Sequence, residues 1–290
     1  MKCYLCPRLC GADRKTEKGA CGMGEAPVAA RAALHRWEEP CISGERGSGA
    51  VFFSGCPLKC VFCQNTEISR GGFGKEITVP RLREIYEELI AAGAHNINLV
   101  SPTHFVPAVL RSLEDPLPVP VVYNSSGYER VETLRMLEGR VQVWLPDCKY
   151  SDEMLARRCS AAPGYFDIAR AAILEMFRQT GPYRMGEDGL LQSGVVIRHL
   201  VLPGQLENSR GVIDWVAETF RPGEVLFSLM SQYIPCGGAA DIPGLGRPLS
   251  AEEQEEIEEY LFESGIEDGF VQERSAADKS YIPAFDLTGV

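Results

Sequence analysis

The sequence predicts an α/β protein: an open, partial barrel of six strand–helix units over residues 49–290, behind a small cysteine-rich module at residues 1–48. Three observations predict it. After Gly49 short apolar runs alternate with amphipathic stretches, eight of the eleven cysteines fall in the first 63 residues, and 290 residues are enough for one barrel-sized domain of ~250 residues.

Residues 1–48 are rich in Cys, Gly, Arg and Pro and carry no sustained period, as expected of a segment ordered by metal rather than by a core. The apolar runs that follow, at 50–53, 97–100, 119–123, 141–145, 195–202 and 225–230, read as six parallel strands. Between them the pattern turns helical. Residues 80–92 follow Thr78 as a cap with Pro80 in the first turn, 209–220 carry Val212, Ile213 and Val216 on one face, and 250–263 open with a capping box of Ser250 and Glu253. The tail at 277–290, with Tyr281, Ile282, Phe285 and Leu287, is expected to pack on the barrel. In such a barrel the functional residues sit just after each strand.

Composition excludes some functions. With 29 basic and 40 acidic residues the net charge is −11, and no Lys/Arg run offers a phosphate backbone a track, so no nucleic-acid partner is expected. No run approaches the ~18 apolar residues of a membrane helix, and no apolar signal stretch follows the opening Met1-Lys2-Cys3. The expected compartment is the cytoplasm. There thiols stay reduced, so the cysteines read as ligands of a metal or cluster rather than as disulfide partners.

The segment after the first strand, Ser54-Gly55-Cys56-Pro57-Leu58-Lys59-Cys60-Val61-Phe62-Cys63-Gln64-Asn65, places three thiols within eight residues. Three thiolates satisfy three irons of a 4Fe-4S cube and leave the fourth open to a small molecule. The alternatives are a three-Cys zinc site, a disulfide with a spare thiol, or plain buried thiols. Zinc fits less well, because none of the four histidines lies near the loop. A second set, Cys3, Cys6, Cys10 and Cys21, with Cys41 further on, lies in a segment too small to fold on apolar burial alone. Only one C-x2-C pair is present, and three close thiols with a distant fourth suit an iron–sulfur cluster better than zinc, though the spacing leaves both open.

The C-x3-C-x2-C loop, with Phe62 before its third cysteine, resembles the signature of the radical S-adenosylmethionine (SAM) superfamily. The stretch from Gly55 to Asn65 and the wider chain resemble the activating enzymes of glycyl radical enzymes, such as that of pyruvate formate-lyase, and their uncharacterised homologues. The resemblance implies a partial (β/α)6 radical SAM barrel. It also implies reductive cleavage of SAM at a 4Fe-4S cluster to a 5'-deoxyadenosyl radical, a low-potential donor such as flavodoxin or ferredoxin, and a glycyl radical enzyme as protein substrate.

By the same resemblance, SAM is held by residues at the strand ends. Ser101, Thr103 and His104 stand where many relatives carry Gly-Gly-Glu, so the carboxylate for the SAM amino group is missing. Asn124 and Ser126 stand in place of Asp-Thr-Asn, while Asp147 and Lys149 keep both charges of the family's Asp-Leu-Lys. Arg198 matches the arginine of Ile-Arg-x-x-x-x-Pro-Gly and is the candidate catalytic residue, and Ser231 and Gln232 would contact adenine and ribose. Plainer readings stand beside these: ion pairs at a barrel rim for Asp147, Lys149 and Arg198, hydrogen-bonded core-edge histidines for His104 and His199, and small buried residues for Cys148, Cys159 and Cys236. The altered strand ends keep open a small metabolite or peptide as substrate, and a non-catalytic iron–sulfur electron carrier is the third reading.

Overall fold

The computed structural model describes residues 2–272 and 283–290. Its strands are β1 Val28–His35, β2 Ser48–Phe53, β3 Lys75–Glu76, β4 Ile97–Val100, β5 Val121–Ser125, β6 Val143–Pro146, β7 Arg184–Met185, β8 Leu191–Leu200, β9 Leu226–Met230 and β10 Gly269–Gln272. They form one sheet in the order β10-β9-β8-β6-β5-β4-β2-β1-β3, with β7 paired to β8. The six expected strands are β2, β4, β5, β6, β8 and β9. All neighbours among them pair in parallel, and β10 adds a seventh parallel strand at one edge. At the other edge β1 runs antiparallel to β2, so the sheet reaches back to Val28.

Each crossover between consecutive parallel strands carries helix, which is what parallel pairing demands. The helix Val79–Ala91 begins as its sequence dictates, with the Thr78 hydroxyl accepting from the Arg81 amide and Pro80 in the first turn. Leu206–Thr219 follows β8, and Ala251–Glu263 opens with both bonds of the Ser250–Glu253 capping box in place.

Alternation along the strands divides the core. Val121, Tyr123, Trp144, Val195, Ile197, Phe227 and Leu229 face the helices, whereas Val122, Val143, Leu145, Val196 and Leu226 face the other way. On that second face they pack against Cys41 and Ile42 of the short helix Pro40–Ser43, so a segment from ahead of β2 plugs the helix-free side of the sheet. Asn98, Asn124, Arg198 and Ser228 share the parity of this inner face and all bond to the plug.

The described part of the tail lies along β1. Leu287 N–H donates to Ala30, Ala32 N–H donates to Thr288, and Phe285 packs edge-on against Phe52 with centroids 5.7 Å apart. Tyr281 and Ile282 lie outside the described residues. Among the described residues no helix is long and apolar enough to cross a membrane.

Candidate functional site

The cleft opens where the parallel strands end, and its wall is the loop that leaves β2. Gly55 begins the loop at φ +83°. A Cβ there would stand 2.3 Å from Met23 Cγ and 2.9 Å from the Cys21 carbonyl, so only glycine fits. The three cysteines that follow are free thiols at the cleft. Val61 N–H anchors the loop on the Cys159 carbonyl at 2.8 Å, and Cys63 N–H turns back to Cys60 at 3.2 Å. Two hydroxyls address the sulfurs: Ser160 Oγ donates to Cys60 Sγ at 2.9 Å, and Ser69 Oγ lies 3.3 Å from Cys63 Sγ.

Burial pushes the Cys56 thiol well above its ordinary range, and the neighbouring Cys60 and Cys63 push it further. Three crowded thiols of this kind are stable as thiolates only with cations among them, which fits iron. Phe62 points away into an apolar shell of Leu58, Tyr128, Tyr150, Leu202 and Tyr233 that backs the loop.

Opposite the thiols lies a charged network. Arg198 donates to Asp147 at 2.9 Å, to Glu38 at 2.7 Å and to Asn124 Oδ1 at 2.7 Å. Asn124 Nδ2 donates to Glu38 at 2.8 Å, Asn98 Nδ2 does so at 3.1 Å, and the Lys149 ammonium pairs with Asp147. Burial alone would raise Asp147, but Arg198 and Lys149 more than offset it and hold the carboxylate below its usual range. Burial raises the Cys60 thiol, and among the influences that pull it back the Lys149 ammonium is the largest.

Most of the sequence-predicted residues meet here. Cys56, Cys60, Cys63, Phe62, Ser101, Asn124, Ser126, Asp147, Lys149, Arg198 and Gln232 line one cleft of about 300 Å³. Ser126 Oγ is buried at its edge without a partner, an open hydroxyl for a ligand. Ser101 holds φ +59°, a glycine-like conformation for a residue with a side chain.

Thr103, His104 and Ser231 do not line the cleft. Thr103 donates to the buried Glu129 at 2.6 Å, and the His104 ring bonds the Ser54 carbonyl at 2.7 Å, with burial holding its pKa down at about 3. Ser231 Oγ is buried without a partner. His199 is braced between the Cys148 carbonyl and Ser209 Oγ. Sequence reasoning missed Glu38, the one carboxylate that reaches Arg198 from outside the barrel strands, and its neighbour Glu39. Burial pushes Glu39 up to about 7, and it accepts from Ser228 at 2.9 Å. The adjacent Glu-Glu-Pro-Cys run at 38–41, acidic beside apolar ahead of a strand, was the available signal.

Residues 42–110 match the model of a 4Fe-4S single cluster domain. An uncharacterized protein of Methanocaldococcus jannaschii is 31% identical over 263 residues, covering 87% of this chain and 72% of its own. In fold the chain is similar to Streptococcus suis SuiB bound to S-adenosylmethionine, with a TM-score of 0.50, 12% identity and coverage of 75% of this chain and 48% of that one. It is equally similar to spore photoproduct lyase, with a TM-score of 0.50, 12% identity, and 80% and 78% covered. The chain spans about half the length of SuiB. The chain belongs to the family of the Methanocaldococcus protein, and its fold is one it shares with SuiB and spore photoproduct lyase.

Proposed function

We propose that Cys56, Cys60 and Cys63 hold a 4Fe-4S cluster, that SAM binds in the adjoining cleft, and that the chain activates a glycyl radical enzyme by taking a hydrogen from its backbone. The observation that carries the reading is the joint placement of three free thiols and the Asp147–Lys149–Arg198 network on one cleft at the strand ends. The bound cluster supplies the electron that breaks a carbon–sulfur bond of SAM, giving methionine and a 5'-deoxyadenosyl radical.

The chain's own residues supply placement. Lys149, which lines the cleft with Cys60, is set to meet the SAM carboxylate, and Asp147 fixes the ammonium there. Ser126 Oγ and the Ser101 loop offer polar contacts where relatives carry a carboxylate, and Glu38 brings a carboxylate to the cleft from a different segment. Arg198 ties the network together and sets the floor on which the ligand rests. The apolar shell behind Phe62 keeps water from the loop. An open depression of about 860 Å³ shares Glu38, Gln232 and the 63% exposed Trp37 with the cleft. That favours a protein or peptide substrate over a small metabolite, and SuiB has been crystallised with a precursor peptide.

The test is anaerobic reconstitution with iron and sulfide, then dithionite and SAM, with 5'-deoxyadenosine measured by mass spectrometry. Product is expected from the wild type and none from Cys60→Ala. A fully loaded wild type that makes none would replace the reading with an electron carrier. A stable glycyl radical signal in a partner enzyme identifies that substrate, and its absence across candidate partners transfers the proposal to a peptide.

A further inference from the structure

Residues 2–24 fold around sulfur. Two tight loops form them: one closed by Cys3 N–H to Ala12 at 2.9 Å and Gly11 N–H to Cys3 at 3.0 Å, the other by Gly19 N–H to Met23 at 3.0 Å. Their ends bring four thiols together. A Cβ on Gly19 would lie 3.5 Å from both Cys10 Sγ and Cys21 Sγ, the backbone bonds of Cys3 to Gly11 and Ala12 hold it against the chain just after Cys10, and the bond from Leu9 N–H to the Cys6 carbonyl at 3.1 Å turns Cys6 back towards them. None is in a disulfide. Cys41 is not part of the group, since it packs with Ile42 against the inner face of the sheet.

Several thiols this close, in a segment with so little core, are arranged as the ligands of a cation. The turn that places them is strained, with Leu9 at φ +44°. Only four apolar residues of the segment, Cys6, Ala12, Cys21 and Met23, are buried, too few to hold such a turn by burial.

The group is also built onto the first cysteine loop. Cys56 N–H donates to the Cys21 carbonyl at 3.3 Å, so a member of each thiol set shares one hydrogen bond. Arg8 adds a second tie, donating to the Pro57 carbonyl at 2.7 Å and to the Ser160 carbonyl at 3.1 Å, and Ser160 is the residue whose hydroxyl addresses Cys60.

We propose that Cys3, Cys6, Cys10 and Cys21 are the ligands of a second metal centre, a four-thiolate site for an iron–sulfur cluster or zinc, and that this centre braces the Cys56–Cys63 loop. An all-sulfur donor set selects those two chemistries. Among the described residues no three His, Cys, Asp or Glu side chains close as tightly as around one ion. The proposal stands apart from SAM cleavage.

The experiment uses the full chain carrying Cys56→Ala, Cys60→Ala and Cys63→Ala together, so that only the second set can bind, purified without oxygen and assayed for iron, sulfide and zinc. The triple variant is expected to retain about four irons with sulfide, or about one zinc, per chain. Adding Cys10→Ser, at an exposed position, or Cys3→Ser is expected to lower that content at least about tenfold while circular dichroism stays unchanged. A folded triple variant without metal overturns the proposal, as does metal that survives both serine substitutions. The brace is read by hydrogen exchange in a chain with its first loop intact. Cys10→Ser should speed exchange at the amides of Cys56 and Val61, and an unchanged rate overturns that part.

Discussion

Arg198 is 12% exposed at its side chain, and its guanidinium answers two carboxylates that are only 11% and 14% exposed and the buried amide of Asn124. Removing such a group costs more than the pairs contribute, because Asp147 and Glu38 are left buried without their cation. Arg198→Leu is expected to lower unfolding stability by about 3–5 kcal/mol in urea titrations. Arg198→Lys, which keeps the charge and loses the planar fork, should cost about 1–3 kcal/mol and still abolish most deoxyadenosine formation. Equal losses for the two would mean that charge alone matters. Ser101 is the opposite case, a small residue in a conformation made for glycine. Ser101→Gly should change stability by no more than about 0.5 kcal/mol, since relief of strain offsets the added chain entropy. Ser101→Val should cost about 2 kcal/mol or more, because a β-branched side chain resists positive φ. Comparable midpoints in urea for Gly and Val would show that the loop relaxes.

At the scale of elements, strands buried on both faces announce themselves as apolar runs, and for that reason all six inner strands were legible. Helix starts were legible at two side-chain caps, Thr78 and Ser250, while the Asp152 cap of the helix Glu153–Ser160 went unread, and the capping box at Ser250 makes a definite prediction. Ser250→Ala should destabilise the chain by about 1 kcal/mol, seen as a lower urea midpoint at unchanged slope. No shift would mean that the Arg247–Glu253 ion pair holds the end of the helix instead. What escaped the sequence has physical reasons. Strand β1, Val-Ala-Ala-Arg-Ala-Ala-Leu-His, is alanine-rich and carries little alternation, while β10 has four residues and an edge position. Glu38 was missed because its partners, Asn98, Asn124 and Arg198, lie 60, 86 and 160 residues away. A local pattern holds no record of such closure. The charged strand ends were legible because each follows an apolar run directly. Thr103 and His104 follow one too, and the short helical turn at Thr103–Phe105 directs them into the core.

Across the whole molecule, buried titratable groups on different elements set opposite limits to stability. Burial holds His199 down at about 4 and His104 at about 3, against an ordinary 6.5, so both fold in the neutral form. Their contribution is complete above pH 6.5 and is lost as pH falls through those values, while that of Asp147, whose carboxyl is held low by its cations, is complete above the ordinary aspartate range and is lost as pH falls below it. Glu39 and Glu129 behave in the reverse sense. Burial raises them to about 7 and about 8 from 4.5, so their contribution is complete below pH 4.5 and is lost as pH rises through 7 and 8. Between 4.5 and 6.5 the protons taken up by the unfolded histidines balance those held by the folded carboxyls. Stability should therefore be flat there and fall on both sides. From pH 5.5 to pH 8 the wild type is expected to lose about 1–3 kcal/mol, at up to about 1.4 kcal/mol per shifted unit. Glu129→Gln keeps an acceptor for the Thr103 hydroxyl and removes the ionisable carboxyl, so it should lose little or no stability over the same range, the loss from Glu39 being offset by the histidines. Urea midpoints at the two pH values decide it: parallel losses in both proteins would show that Glu129 ionises freely in the fold and that the alkaline limit arises elsewhere.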